Sequence, residues 1–78
     1  MTNAEWSKIK RRCLKEHGVR PYRAPEGYFY WLDKNGNNVD ADSEYSYRAS
    51  DLTEEQWLSR AADAAAQSGV RAIDVRKI

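Results

Sequence analysis

The stretch "GYFYWLDKNGNNVDAD", residues 27–42, decides how this chain is read. An aromatic run from Tyr28 to Leu32 meets Asn35-Gly36, the dipeptide that fits a two-residue type I′ turn because both central positions need positive φ. In that register Leu32 opposes Val39 and Tyr30 opposes Ala41, so Tyr28, Tyr30 and Leu32 are expected on the buried face of a hairpin. Phe29 and Trp31 then point the other way, with Asp40 across from Trp31, and are expected to be exposed or half-exposed. Downstream, "SEYSYRAS" (43–50) alternates with period two and extends the second strand or begins another, with Tyr45, Tyr47 and Ala49 on one side.

Part of the same stretch imitates a calcium loop. In "DKNGNNVDADSE" (33–44), Asp33, Asn35, Asn37 and Glu44 occupy the first, third, fifth and twelfth places of an EF-hand loop. The imitation fails at the sixth and eighth places, where glycine and an apolar residue are needed and Asn38 and Asp40 stand. Its flanks read as strands, not helices. The stretch is therefore read as a polar hairpin turn, and neither a metal nor a cofactor is expected.

Working outward, the helices carry their own start and stop signals. Thr2 and Glu5 form a capping box, and the helix should run from Asn3 to Glu16 or His17 and end at Gly18, which suits a left-handed C′ position. Thr53 and Gln56 repeat the device before a second helix that ends at Gly69, with Glu54 and Glu55 in its first turn. Ala61, Ala64 and Ala65 with Trp57 and Leu58 give that helix a small-residue face suited to close packing. "VRPYRAPE" (19–26) contains both prolines and reads as an extended connector. "VRAIDVRKI" (70–78) reads as a closing strand. The expectation is a single α+β domain over residues 1–78 of order α-β-β-α-β: a three-stranded, mainly antiparallel sheet with both helices on one face.

Composition narrows the class. Leu, Ile, Val and Phe number only 12 of 78, whereas Trp and Tyr supply eight rings and net charge is +1. Rings can therefore furnish the core that aliphatics do not. So thin a core predicts further burial against a partner or in a homodimer. One cysteine excludes an internal disulfide and any Cys-rich zinc site. Neither a membrane span nor a signal peptide is read, so a cytoplasmic protein is expected. Charge is asymmetric: residues 1–23 carry seven basic against two acidic side chains, and residues 24–63 three basic against nine acidic. Such a dipole steers charged partners.

No catalytic residue is expected. His17 ends a helix, Cys13 lies in the apolar stripe of the first helix with Ile9 and Trp6, and no phosphate-cradling glycine loop exists. Two surfaces remain. Lys8, Arg11, Arg12 and Lys15 line the solvent face of the first helix and, with Lys10, Arg20 and Arg23, could track a phosphate backbone. Phe29, Trp31, Asp33, Asp40, Asp42 and Glu44 form an acidic, aromatic surface suited to a basic protein. In size and build the chain resembles short accessory proteins of phages and mobile elements, anti-CRISPR proteins among them, a likeness that rests on no motif. It implies a stoichiometric inhibitor of host machinery. The expected function is thus a small non-enzymatic binding protein for a protein or ribonucleoprotein partner. The alternative is a nucleic-acid-binding module using the first helix.

Overall fold

The computed structural model describes residues 1–45 and 48–69. Its elements run α1 (Asn3–His17), β1 (Arg20–Arg23), β2 (Phe29–Leu32), a 3-10 turn (Ala49–Asp51) and α2 (Glu54–Ser68). The expected closing strand lies outside the described residues, as does Tyr47.

Both helices begin and end as their sequences dictate. The Thr2 backbone N–H donates to Glu5 Oε1 at 2.7 Å and the Glu5 N–H to Thr2 Oγ1 at 3.1 Å. In α2 the Thr53 N–H reaches Gln56 Oε1 at 2.8 Å and the Gln56 N–H reaches Thr53 Oγ1 at 3.1 Å. Each reciprocal pair satisfies two donors that a helix start leaves without partners. Gly18 and Gly69 close the helices at φ 83° and 77°, a conformation that costs glycine little.

The sheet differs from the expectation. The connector 20–23 is itself a strand, antiparallel to β2, with Arg20 opposite Leu32, Pro21 opposite Trp31, Tyr22 opposite Tyr30 and Arg23 opposite Phe29. Between them, Ala24 and Tyr28 close a three-residue loop: the Ala24 N–H donates to Tyr28 O and the Gly27 N–H to Ala24 O, with Gly27 at φ 100°. The second connection repeats this form. The Asp33 N–H donates to Asn37 O, the Gly36 N–H donates to Asp33 O, and Gly36 sits at φ 84°. A turn followed by one left-handed residue makes a three-residue hairpin loop, one longer than the type I′ turn.

That single residue changes the register. Leu32 now faces Asn38, not Val39, and the Val39 N–H donates to Trp31 O at 3.0 Å. A one-residue slip exchanges the faces of a strand. Phe29 and Trp31, expected on the outside, are fully buried, while Tyr28 and Tyr30 are only half-buried. Beyond Val39 no regular second strand forms among the described residues. The chain takes six steps from Asn38 to Glu44 while β2 takes three from Leu32 to Phe29, so 39–43 bow outward before Glu44 and Phe29 exchange two hydrogen bonds of 2.7 Å.

Both helices cover the face carrying Phe29 and Trp31. The core is aromatic, as composition demands. Trp57 sits at its centre, with ring centroids 4.9 Å from Phe29, 5.2 Å from Trp6 and 6.1 Å from Trp31. Its indole N–H donates to Ala49 O at 2.8 Å, satisfying the one polar atom it brings inside. Ile9, Cys13 and Val19 close one side, and the alanine face of α2 closes the other.

Candidate binding surface

The outer face of the sheet is a strip of tyrosines. Tyr22 and Tyr30 oppose one another across the strands, their centroids 5.2 Å apart. Tyr28, two residues from Tyr30 and so on its face, lies 6.1 Å from it, and Tyr45 lies 5.7 Å from Tyr28. The rings are tilted by 34° to 55° and support one another in line, Tyr22–Tyr30–Tyr28–Tyr45. The ends are open to solvent, Tyr22 at 41% and Tyr45 at 78%. Burial pushes the Tyr30 hydroxyl above the ordinary tyrosine range, with the neighbouring phenols adding to the effect.

The basic residues divide into two groups. Arg12 is committed within the molecule: its Nε donates to Glu16 at 2.9 Å and its Nη1 to Glu54 at 2.6 Å, holding its pKa above the usual arginine value. Lys8 stands 3.8 Å from the same Glu54. The acidic first turn of α2 thus meets the middle of α1. On the other flank Lys10, Arg11 and Arg20, with Ser7 and Leu14, line a groove of about 300 Å³ between α1 and β1. Among the described residues no carboxylate pairs with these three cations. Lys10 Nζ lies 5.7 Å from the Trp6 ring centroid, a cation–π contact. Lys15 and Arg23 are exposed at the C-terminal ends of α1 and β1.

The acidic, aromatic set does not stay together. Phe29 and Trp31 are core, so the rings expected at that surface are withdrawn from it. Asp33 Oδ1 accepts from the N–H groups of Asn35 and Asn37 at 2.8 and 3.0 Å and thereby holds the hairpin loop. Glu44 is bonded to Arg60 Nη1 at 2.5 Å. Asp40 and Asp42 remain exposed on the bowed segment, where the Asp42 N–H donates to Gln67. Asp33 and Glu44, the first and last positions of the calcium-like pattern, are thus engaged with protein groups. Among the described residues no cluster of three or more His, Cys, Asp or Glu side chains is poised to hold a metal ion.

Cys13 is fully covered, its Sγ 3.8 Å from Trp57 O, and burial pushes its thiol up to about 12. At neutral pH almost none is thiolate, the nucleophilic form. Among the described residues no helix is long and apolar enough to cross a membrane.

The tyrosine strip escapes a sequence reading that takes 27–42 as one hairpin with a two-residue turn. Its signal lies in "APEG" (24–27): proline then glycine two places on, between short aromatic segments, marks a second tight turn and makes Tyr22 a strand residue. Compared with protein-family profiles, curated proteins and solved structures, the chain matches none.

Proposed function

We propose that the chain is a small non-enzymatic binding protein that engages a protein partner through its tyrosine-faced sheet. The observation that carries this reading is the line of four mutually supported tyrosines on the face that the helices leave uncovered. Tyrosine combines a large apolar ring with a polar tip and only two side-chain torsions, so it contributes contact area at small entropic cost. Tyr and Arg are enriched where interfaces concentrate their energy, and Arg20 and Arg23 flank Tyr22 on β1. The buried Cys13, held as the thiol at neutral pH, offers no nucleophile to a substrate.

The test is capture by the tagged protein from a nuclease-treated bacterial lysate, comparing the parent with Tyr22→Ala/Tyr30→Ala and with Asp40→Lys. A single partner retained by the parent and by Asp40→Lys, but reduced at least about tenfold by the tyrosine variant, is expected. Equal recovery with all three proteins, or loss only with Asp40→Lys, would remove the tyrosine face from the interface.

A further inference from the structure

We propose that the groove between α1 and β1 is a phosphate-backbone site for single-stranded nucleic acid, with Lys10, Arg11 and Arg20 on the phosphates and Tyr22 as the platform for a base. This goes beyond the protein-binding reading and does not rest on it. Positive charge is distributed unevenly around α1. Residues 1–23 carry seven basic side chains, but Glu16 and Glu54 engage Arg12, and Glu54 stands beside Lys8. The positive field of this end of the molecule is therefore weighted toward the opposite flank of α1. There Lys10, Arg11 and Arg20 line one concavity together with Ser7, and among the described residues no carboxylate pairs with them. Several donors of one sign around a shallow groove suit an extended polyanion better than a small neutral ligand.

An exposed ring follows Arg20 on the same strand. Arg20 and Tyr22 are two apart on β1 and project from the same face of the strand. A chain whose phosphates lie against Arg20 would bring a base over Tyr22, a residue 41% exposed whose ring is backed by Tyr30. Cations that track a backbone next to an exposed ring are the working parts of single-strand binding surfaces, and such stacking requires an unpaired base. A phosphopeptide would use the cations and leave Tyr22 idle, so the ring distinguishes the two.

Fluorescence anisotropy with a labelled oligothymidylate of about 12 nucleotides tests the site. The parent should bind, and log Kd should rise with log salt with a slope of about 2, the value for three single-strand phosphate contacts. Arg11→Glu/Arg20→Glu should weaken binding at least about tenfold and flatten that slope to below about 1. Tyr22→Ala should cost about tenfold with the slope unchanged, because stacking releases no counterions. At about 0.15 M salt, where the screening length is about 8 Å, Arg48→Gln, outside the groove and beside Asp51, should change affinity by less than about threefold, and circular dichroism should confirm that every variant is folded. The proposal is overturned if the parent does not bind the oligomer, if Arg11→Glu/Arg20→Glu binds like the parent, or if Arg48→Gln is as damaging as the groove variant. A phosphopeptide that binds as tightly as the oligomer, with Tyr22→Ala without effect on either, would overturn the strand reading.

Discussion

Cys13 lies on the inner stripe of α1, with no solvent exposure and its S–H directed toward Trp57 O at 3.8 Å. Burial disfavours the thiolate, so its pKa rises from the ordinary 9.0 to about 12. The folded-state value is the higher one. Between pH 9 and 12 the unfolded chain releases this proton while the folded chain keeps it, so the stability the buried thiol contributes is present below pH 9 and lost as pH rises through 12. The slope from this group alone approaches about 1.4 kcal/mol per pH unit in the middle of that window. Urea unfolding of the parent and of Cys13→Ala at intervals from pH 8 to 11.5 checks it: the variant should lose less stability over this range than the parent. Parallel curves would mean that the thiol ionises as readily in the folded state as in the unfolded one.

Gly36 holds the left-handed place in the second hairpin loop. A Cβ built there meets nothing within 4 Å, so no clash opposes an alanine, yet φ is +84°. The left-handed conformation costs an L-residue about 1–2 kcal/mol, and Gly36→Ala should destabilise by about that amount in urea unfolding. Loss of less than about 0.3 kcal/mol would show that the loop changes form instead of bearing strain. The same loop marks where the sequence was hard to read. Helix termini were legible because a capping box and a following glycine are local signals, complete within five residues and confirmed at Thr2, Gly18, Thr53 and Gly69. The hairpin register was not, because Asn-Gly serves both a two-residue turn and the last two places of a three-residue one. Asp33 tips the balance: its carboxylate accepts from the N–H groups of Asn35 and Asn37, which favours the longer loop. One residue of slip then exchanges Phe29 and Trp31 with Tyr28 and Tyr30. The candidate surface turned over with the strand, from buried tyrosines and exposed core rings to the reverse.

Over the whole molecule, the basic first third and the acidic middle that the sequence sets apart are folded partly against one another. Composition cannot show this, because the meeting of Arg12 and Lys8 with Glu54 depends on how α1 and α2 cross. Glu54 accordingly has two effects of opposite sense. It ties the helices together, and it masks positive charge on α1. Glu54→Gln keeps the size of the side chain and removes its charge, so stability should fall slightly in low salt. The difference should vanish near 1 M salt, where the screening length is only about 3 Å. Removing the mask also adds positive potential to the end of the molecule that carries the α1–β1 groove. Oligothymidylate affinity should therefore rise by about two- to fivefold in low salt, although Glu54 does not line the groove. Few substitutions weaken a fold and strengthen its binding together, so the pair of opposite signs is a demanding check. Unfolding curves and anisotropy titrations on one preparation at two salt concentrations measure both. If affinity falls together with stability, the groove depends on the helix packing that Glu54 supports, and the charge left over on α1 is not what attracts the strand.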